Sequence, residues 1–389
     1  MPPHPFRHRL MPEKAGIYLH IPFCRSKCSY CAFSSWPCRR PPAGYPAALL
    51  AQARQLAELP WSQEKKFATL FVGGGTPTIY PAPVLTDLLA GLGKLFRLDP
   101  EAEISLEANP DTLTPELLRQ LRRGGFNRIS IGVQSFHDQL LHRIGRRHDG
   151  AKARQAVAWA RQAGFANLNL DLMYGLPGQS RRQWRADIAT ALELQPEHLA
   201  IYQLTPEAET PLGRALAAGH LVLPEPDLSA ELEQEARQAL LAAGYQHYEV
   251  ANYCRPGRAC RHNLNYWHNG SYLGLGAAAV SCLDGLRLVN VAAPGRYRRL
   301  LAAGRAPYAE AELLGRPAAF RETVIMGLRL RQGLRVDQLQ QRFALTPQQY
   351  YGPILDELIA QGLLVADRER IALSERGFAL ANQVLCRLV

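Results

Sequence analysis

The chain has 389 residues, of which 47% are hydrophobic, and a formal net charge of +11. A chain of this length and composition can bury a large core, as two or three domains or as one barrel with an appendage, which excludes a disordered protein. It has no run of about 18 apolar residues and no apolar segment near its start, so we expect a soluble, cytoplasmic protein. The positive charge is spread along Arg-rich helices, which suits a ligand with carboxylates and indicates nucleic acid only weakly.

The chain begins with a segment that shows no hydrophobic periodicity. Residues 1–14 are rich in Pro, His and Arg, which is typical of a loose terminal arm. From residue 15 onward, apolar β-rich runs alternate with stretches that carry apolar residues at helical spacing. We therefore predict a flexible N-terminal arm over 1–14 and a folded chain from residue 15.

Three cysteines follow the first apolar run. Cys24, Cys28 and Cys31 stand at C-x3-C-x2-C spacing directly after a predicted strand at 17–21. Thiolates are the usual protein ligands of iron–sulfur clusters, and three of them on one loop can hold a [4Fe–4S] cube while one iron stays without a protein ligand. That iron can be chelated by S-adenosylmethionine, which an electron from the cluster then cleaves to an adenosyl radical. The spacing resembles that of the radical SAM superfamily.

Two other interpretations of these cysteines are weaker. A structural zinc site usually takes four ligands from two pairs, and the next cysteine, Cys38, is isolated. Disulfides are not expected either, because a chain without a signal peptide stays in a reducing compartment. The three cysteines therefore predict an iron–sulfur site.

Predicted strands and helices alternate along the first half of the chain. The strands are predicted at 17–21, 69–72, 104–107, 129–133, 168–172 and 199–204. The helices between them are predicted at 46–59, 83–96, 115–123, 138–144, 151–163 and 181–194. Strand–helix alternation implies a parallel sheet, and six such units can curl into an α/β fold of the open (β/α)6 partial TIM barrel type. Ligands of such barrels bind at the C-terminal ends of the strands.

Residues suited to ligand binding lie at or directly after the ends of five of the six predicted strands. After the cysteine loop they are the glycines at 73–75, then Glu107 with Asn109, then Gln134, then Asp171. Glycines let the backbone approach a ligand closely, and carboxylates and amides suit ribose hydroxyls and an ammonium group. Each of these residues alone would more often be a cap or a solvated side chain. Their recurrence at strand ends indicates one ligand site.

Six motifs resemble those of a known family. They are Tyr-x-His-Ile-Pro-Phe-Cys at 18–24, Gly-Gly-Gly-Thr-Pro-Thr at 73–78, Glu-Ala-Asn-Pro at 107–110, Gly-Val-Gln-Ser at 132–135, Asp-Leu-Met-Tyr-Gly-Leu-Pro-Gly at 171–178 and Arg-His-Asn-x-x-Tyr-Trp at 261–267. Together they resemble the oxygen-independent coproporphyrinogen III oxidase family, and within it the HemW branch of heme chaperones. The likeness runs from about residue 16 into the C-terminal region.

The resemblance implies a set of cofactor-binding residues. By it, Cys24, Cys28 and Cys31 ligate the cluster. S-adenosylmethionine is then held by Tyr18, Tyr30, Gly74, Gly75, Thr76, Glu107, Gln134, Arg146 and Asp171, with main-chain groups near Leu204 and Val280 as weaker contacts.

Two features bear on whether the chain is a heme chaperone or an oxidase. Oxidases of this family carry C-x3-C-x2-C-x-C, whereas the position of the fourth cysteine is Phe33 here. The HNxxYW sequence from His262 resembles the heme-associated motif of HemW proteins, so His262 is expected to bind heme, with Tyr266 and Trp267 offering flat faces to a porphyrin. The plain structural alternative is a histidine hydrogen-bonded to Asn263 or to the backbone. We expect a heme chaperone, and the alternative is an oxygen-independent coproporphyrinogen III oxidase.

The last part of the chain changes character. A strand is predicted at 245–253, amphipathic helices at 320–331, 335–343 and 348–361, and a small wing and a final helix after them. The pattern predicts a barrel region with additional strands over 15–300 and a helical, winged-helix-like domain over 301–389. The helices of that domain mix acids and bases without a basic face, so we expect a lid or docking role. Cys254, Cys260 and Cys282 are expected to be packing residues.

The partners follow from the resemblance. They are heme and heme-accepting proteins, among them membrane-associated respiratory proteins, and an electron donor if S-adenosylmethionine is cleaved. A homodimer is a further expectation, and nucleic acid is not expected as a partner. A DNA-binding regulator that senses redox state through its cluster is a third hypothesis, which rests only on the C-terminal helices and the net charge.

Overall fold

The structure is a computed structural model that describes residues 14–389. The predicted arm therefore lies outside the described residues except for Lys14, which already belongs to the first strand, Lys14–Ile21. Lys14 pairs with Lys66 on the neighbouring strand, and its Nζ lies 2.8 Å from an Asp99 carboxylate oxygen. Lys14, which was predicted to belong to the arm, is thus part of the sheet.

The strands fall into one large sheet and two small ones. In chain order they are β1 Lys14–Ile21, β2 Phe23–Cys24, β3 Trp36–Pro37, β4 Lys66–Gly74, β5 Leu98–Ala108, β6 Arg128–Gln134, β7 Leu168–Tyr174, β8 His198–Gln203, β9 Gln246–His247, β10 Asn252–Cys254, β11 Tyr272–Leu275, β12 Val280–Leu283, β13 Leu286–Asn290, β14 Tyr308–Leu313, β15 Leu334–Arg335, β16 Leu364–Ala366 and β17 Arg370–Leu373. All six strands predicted for the barrel are present.

The helices pack around the large sheet or form the C-terminal part of the chain. In chain order they are α1 Tyr45–Ala57, α2 Pro60–Glu64, α3 Ala82–Leu95, α4 Pro115–Arg123, α5 Asp138–Arg143, α6 Gly150–Gln162, α7 Arg181–Glu193, α8 Pro211–Ala217, α9 Pro226–Ala242, α10 Arg261–Trp267, α11 Pro294–Ala302, α12 Arg316–Gly327, α13 Val336–Phe343, α14 Pro347–Tyr351, α15 Pro353–Ala360, α16 Glu375–Ala379 and α17 Ala381–Cys386. None of the helices within residues 14–389 is long and apolar enough to cross a bilayer.

The large sheet has an all-parallel centre, as strand–helix alternation requires. Its order is β14-β13-β12-β11-β1-β4-β5-β6-β7-β8-β10-β9, and the strands from β11 to β8 in this order are parallel. Antiparallel strands continue the sheet at both sides. Its two edge strands, β14 and β9, do not pair with each other, so the barrel is open. The open (β/α) barrel is confirmed, with one parallel strand more than predicted, because the short sequence of β11 lacks a strand pattern.

Side chains of the parallel strands alternate between the helices and the barrel interior. In β1, the outward residues Ile17, Leu19 and Ile21 are at most 1% exposed and join a core that includes apolar residues of the surrounding helices. The inward residues of β1 are Tyr18 and His20. The interior of the barrel is therefore built from the polar positions between the apolar ones.

Two predicted elements are interrupted in the structure. The strand predicted at 245–253 is split into β9 and β10, because Val250 leaves the sheet and its N–H donates to the Arg329 carbonyl at 3.0 Å. The helix predicted at 348–361 is split into α14 and α15 at Gly352, whose φ is +49°. Pro353 follows directly and has no N–H to continue the first helix. Both predictions were wrong in treating these segments as continuous.

The C-terminal helices have a core of their own. Phe320, Leu339, Leu358 and Val384 are at most 1% exposed and belong to one apolar cluster. The predicted wing is the three-stranded sheet β15-β17-β16. The division of the chain near residue 300 stays a prediction.

Candidate functional site

The cysteine loop is held by backbone pairing between its two arms. Strands β2 and β3 pair in parallel and place Cys24 opposite Pro37. The Cys38 N–H donates to the Cys24 carbonyl at 2.7 Å, and the Cys31 N–H donates to the Cys28 carbonyl at 3.2 Å. The thiols of Cys24, Cys28 and Cys31 are free and partly exposed. The loop therefore presents three free thiols from a backbone that is fixed on both sides.

Polar donors stand beside the thiols. Thr76 Oγ1 lies 3.5 Å from Cys24 Sγ, and Arg146 Nη1 lies 3.7 Å from Cys28 Sγ. Burial raises the pKa of the Cys24 thiol, and the Thr76 hydroxyl opposes that rise. Within residues 14–389, no three His, Cys, Asp or Glu side chains converge on a position for a single metal ion. Three thiols with cationic and hydroxyl donors beside them fit a [4Fe–4S] cluster.

A cavity of about 380 Å³ opens beside the cysteine loop, at the C-terminal ends of the parallel strands. The predicted residues that line it are Cys24, Cys28, Cys31, Tyr30, Gly74, Gly75, Thr76, Glu107, Gln134, Arg146, Asp171 and Leu204. The structure thus brings the predicted cluster ligands and most of the predicted S-adenosylmethionine contacts to one place. Tyr18, His262 and Val280 are the predicted residues that do not line it.

The glycines at the end of β4 make room for a carboxylate. A Cβ atom on Gly73 would lie 2.7 Å from Glu107 Oε2, which is too close for any other residue. Gly74 has a φ of +111°, and its N–H donates to Glu107 Oε2 at 3.0 Å. The glycine run therefore allows the Glu107 carboxylate to rest against the β4 backbone inside the cavity.

Two of the three carboxylates that line the cavity, Glu107 and Asp171, are largely buried. Burial and the charge of Asp171 raise the pKa of Glu107 to about 7. Burial also raises the pKa of Asp171, although Asn169 Nδ2 donates to it at 2.6 Å and the Ser130 hydroxyl lies 3.3 Å away. A positive charge placed between the two carboxylates would favour their ionised forms and would be held by them. An ammonium group carries such a charge.

Arg146 supplies a fixed positive charge next to the cluster loop. One of its terminal nitrogens donates to Asn109 Oδ1 at 2.8 Å and to the Gly132 carbonyl, while the other faces Cys28. Its Nε is buried without a hydrogen-bond partner in the described chain. The guanidinium is therefore oriented by the ends of β5 and β6 and keeps one N–H unused.

Gln134 lies in a strained turn. Its φ is +68°, which is uncommon for a residue with a side chain. The next two residues are held by the buried Asp187 of α7, which accepts the Ser135 hydroxyl at 2.8 Å and the Phe136 N–H at 2.6 Å. The Tyr202 hydroxyl then donates to Gln134 Oε1 at 2.7 Å. The turn directs the Gln134 amide into the cavity.

Tyr18 acts on the cysteine loop through its neighbour on β1. Its hydroxyl lies 3.0 Å from His20 Nδ1, and His20 Nε2 lies 2.9 Å from the Ser34 carbonyl. Tyr18 therefore stands one contact away from the loop and lies outside the cavity lining. Its predicted contact with S-adenosylmethionine stays a prediction. His20 is part of the same sequence motif and had no predicted role.

His262 lies at the opposite end of the barrel from the cavity. Its Nδ1 is 2.8 Å from Thr69 Oγ1, and its Nε2 is 3.1 Å from the Tyr266 hydroxyl. Thr69 lies five residues before Gly74 on β4, or about 16 Å along a strand. The ring stacks on Phe71 at 5.2 Å and is 1% exposed, and burial lowers its pKa to about 3.

The hydrogen-bond partners of His262 differ from those expected in the structural alternative, whereas heme binding by this residue stays a prediction. Neither ring nitrogen is open to an incoming iron, and the hydrogen-bond partners are Thr69 and Tyr266 rather than Asn263 or the backbone. Heme ligation by His262 would require helix α10 to leave this position. Trp267 is partly buried under the Arg329 guanidinium, 4.7 Å from the ring centre.

Helix α10 closes the N-terminal end of the barrel. The buried Glu103 of β5 accepts the backbone N–H groups of Arg261 and His262 at 3.1 and 3.2 Å, which caps the helix. Cys260 precedes the helix, and its Sγ lies 3.5 Å from Glu103. Cys254, Cys260 and Cys282 are all buried free thiols, as expected of packing residues.

A buried polar network joins the two ends of the barrel. Beyond its contact with Asp171, Asn169 lies 2.6 Å from His198 Nδ1. His198 Nε2 lies 2.8 Å from the Tyr248 hydroxyl, which accepts the Cys260 N–H at 3.3 Å. Sequence reasoning did not identify these residues. The sequence pattern that could have identified them is the alternation of polar and apolar residues in β6, β7 and β8. In the sheet, Ser130, Asn169 and His198 lie side by side on these neighbouring strands.

Known proteins resemble this chain along nearly its full length. The Radical SAM superfamily matches residues 18–191, and the HemN C-terminal domain matches residues 314–380. The heme chaperone HemW of Lactococcus lactis is 35% identical over 96% of this chain and 97% of its own length. The heme chaperone HemW of Escherichia coli is 36% identical over 95% of this chain and 97% of its own length.

The fold also has a solved counterpart. The structure of coproporphyrinogen III oxidase HemN from Escherichia coli superposes with a TM-score of 0.85 at 24% identity, covering 96% of this chain and 90% of that chain. At this identity the likeness concerns the fold, which is that of the radical SAM partial barrel.

Proposed function

The chain belongs to the HemW family within the radical SAM superfamily, and we propose that it is a heme chaperone that binds heme and transfers it to acceptor proteins. The observation that carries this proposal is that three free thiols and two buried carboxylates line one cavity at the C-terminal ends of the strands. This arrangement supports a chaperone that works with a [4Fe–4S] cluster and S-adenosylmethionine.

The proposed cofactor residues divide between the two groups. Cys24, Cys28 and Cys31 would ligate the cluster, and the remaining iron would take S-adenosylmethionine. Glu107 and Asp171 would accept hydrogen bonds from the ligand. The ligand would also contact Tyr30, Gly74, Gly75, Thr76, Gln134 and Arg146. When both cofactors are bound and the cluster is reduced, they supply an adenosyl radical.

Tyr18 keeps a supporting role in this proposal. Through His20 it fixes the carbonyl of Ser34, and that contact holds the returning arm of the cysteine loop. We expect its loss to loosen the cluster as well as to remove its predicted contact with S-adenosylmethionine.

The proposal separates the chain from the oxidases of the same family at one position. Phe33 occupies the place of the fourth cysteine, lines the cavity mouth and is 71% exposed. An apolar ring cannot replace the thiol that the oxidases carry at this place. For this reason coproporphyrinogen III oxidation ranks second, behind the heme chaperone.

Further partners are part of the proposal. The acceptors include membrane-associated respiratory proteins, and an electron donor is needed only if S-adenosylmethionine is cleaved. The protein acts in the cytoplasm, pairs with a second copy of itself and does not bind nucleic acid.

One experiment tests chaperone against oxidase. The full chain is reconstituted anaerobically with iron and sulfide, and the same preparation is assayed for heme binding, heme transfer and coproporphyrinogen consumption. We expect heme binding and transfer without turnover. Conversion of coproporphyrinogen to protoporphyrinogen with consumption of S-adenosylmethionine would establish the oxidase instead.

A further inference from the structure

The part of the chain around the cysteine loop contains no acidic residue. Between Glu13 and Glu58 the sequence has no Asp or Glu, although the chain as a whole has 34 of them. Lys27, Arg39 and Arg40 lie in this interval and are exposed. Within residues 14–389 these three side chains form no ion pair, whereas Arg25 lies 3.7 Å from Asp111. The outer face of the loop therefore carries uncompensated positive charge.

Two aromatic side chains lie among these cations. Phe33 is 71% exposed and Trp36 is 37% exposed, although both are large and apolar. The backbone of Trp36 is fixed, because this residue pairs with Phe23 in the β2–β3 ladder and its N–H donates to the Pro22 carbonyl at 2.7 Å. Phe33 lies in the bend that precedes β3. Exposed aromatic residues held on a rigid backbone are typical of a binding surface.

Lys27 connects the charge to the aromatic residues. Its Nζ donates to the Phe33 carbonyl at 3.1 Å and approaches the Ser35 carbonyl at 3.4 Å. These partners are neutral, so the ammonium charge is held in place without being neutralised. Lys27 and Phe33 both line the mouth of the cavity. The acids that line the cavity are the buried Glu107 and Asp171, and Glu207 after β8.

We propose that Lys27, Phe33, Trp36, Arg39 and Arg40, the cationic rim, form the surface that receives heme. A porphyrin is flat and apolar, so it can stack on Phe33 and Trp36, and its two propionates can pair with the cations. The inference rests on the proposed function. It places heme beside the cluster loop instead of at His262, whose ring nitrogens are both occupied inside the barrel.

The test is a heme titration of the anaerobically reconstituted full chain, followed by absorbance. Preparations are compared at matched iron and sulfide content, so that a variant with less cluster is not mistaken for one with weaker heme binding at the rim. The outer variant combines Trp36→Ser, Arg39→Glu and Arg40→Glu, whose side chains do not line the cavity. The inner variant is Phe33→Ser.

Two substitutions elsewhere serve as matched controls. Val222→Ser removes an apolar side chain that is 72% exposed, close to the exposure of Phe33. Arg368→Glu reverses an exposed charge in the C-terminal wing. We expect both controls to bind heme within twofold of the wild type.

The expected loss of heme affinity is about tenfold for each rim variant, the size of one aromatic contact or a few screened charge pairs. His262→Ala should keep wild-type affinity. Rim variants with wild-type affinity, next to a His262→Ala variant that loses heme, would overturn the rim and leave the chaperone standing. Wild-type protein that binds no heme would refute the proposed function itself.

Heme transfer separates heme from a protein partner on the same surface. Rim variants that bind heme normally but fail to deliver it would show that the rim docks an acidic acceptor protein, and that outcome also overturns the proposal. Reduced heme affinity with an unchanged transfer rate per bound heme supports it.

Discussion

The two ends of the barrel contain the same kinds of side chain, but those at one end are enclosed and those at the other face an open cavity. At the N-terminal ends of the strands, Glu103 accepts two backbone N–H groups of helix α10 and is enclosed by them. Glu107 lies four residues later on the same strand and faces an open cavity, where it accepts the Gly74 N–H. Burial and the charge of Asp171 raise its pKa to about 7.

The histidines and arginines show the same contrast. His262 uses both ring nitrogens inside the closed end, whereas Arg146 keeps its Nε without a partner at the open end. A buried atom without a partner does not by itself separate the two ends, because Arg128 Nε and Trp267 Nε1 near the closed end are also buried without one. The two ends differ in that Arg146 lines an open cavity, whereas the ring of His262 is enclosed.

The strongest test of the open end removes a cluster ligand. Replacing Cys24, Cys28 or Cys31 by Ala should reduce iron from about four per chain to near zero after anaerobic reconstitution, because two thiolates hold a cube too weakly. Iron analysis and the brown absorbance measure the loss. Cys38→Ala is the matched control in the same loop and should keep its iron. A triple variant with full iron content would end the cluster assignment.

The closed end predicts a change in stability without a change in cofactor. His262→Ala should lower the free energy of unfolding by about 3 kcal/mol, since it opens a cavity and leaves Thr69 and Tyr266 without a partner. Urea unfolding of the apoprotein followed by circular dichroism measures it, with the exposed His220→Ala as control.

The pH dependence of the same variant has a definite sign. Burial lowers the pKa of His262 to about 3 in the folded chain, below its usual 6.5. Its contribution to stability is therefore complete above pH 6.5 and is lost as the pH falls towards 3. The wild type should lose stability over this range more steeply than His262→Ala. Equal slopes would show that the ring is not enclosed.

Glu107→Gln should weaken S-adenosylmethionine binding by about tenfold or more at pH 8, because a charged hydrogen-bond acceptor for a cationic ligand is lost. Calorimetry on the reconstituted protein measures the affinity. Glu101→Gln is the exposed control on the same strand and should bind as the wild type does.

The wild-type affinity should also depend on pH. The pKa of Glu107 is raised to about 7, so binding of a cationic ligand below that pH must be accompanied by the release of a proton. The affinity should rise with pH and level off above about 7, and Glu107→Gln should not show this rise. An equal rise in the variant would assign the proton to another group.

The smallest expected effect concerns the support of Gln134. Asp187→Asn keeps the shape of the side chain but removes a charged acceptor from the turn at Ser135 and Phe136. We expect a loss of S-adenosylmethionine affinity of about threefold to fivefold with unchanged iron content, since the acceptor strength falls by about 1 kcal/mol. Glu193→Gln on the same helix is the control. Unchanged affinity in Asp187→Asn would show that the turn at Gln134 keeps its conformation without the charge of Asp187.

The sequence predicted the open end well because its signals are local. The six buried strands, the helices between them and the residues that follow each strand are all read within short windows. Parallel strands then place those residues together without further information. The cavity therefore contains Glu107, Gln134 and Asp171 as predicted.

The closed end could not be predicted in the same way. The position of His262 depends on contacts with Thr69, which lies 193 residues earlier in the chain. The break between β9 and β10 depends on Arg329, and the parallel strand β11 is too short to show a period. Only the break between α14 and α15 is indicated locally, by the Gly-Pro pair at 352 and 353. Long-range contacts thus account for most of the differences.

The position of β11 has a consequence for how the protein is made. Strand β1, which leads into the cysteine loop, lies between β4 and β11, and Gly16 pairs with Tyr272. During synthesis one edge of β1 therefore stays unpaired until β11, which ends at residue 275, has been made. Contacts this distant in sequence form slowly. We therefore expect the strand that leads into the cysteine loop to be covered on both edges only after most of the chain has left the ribosome.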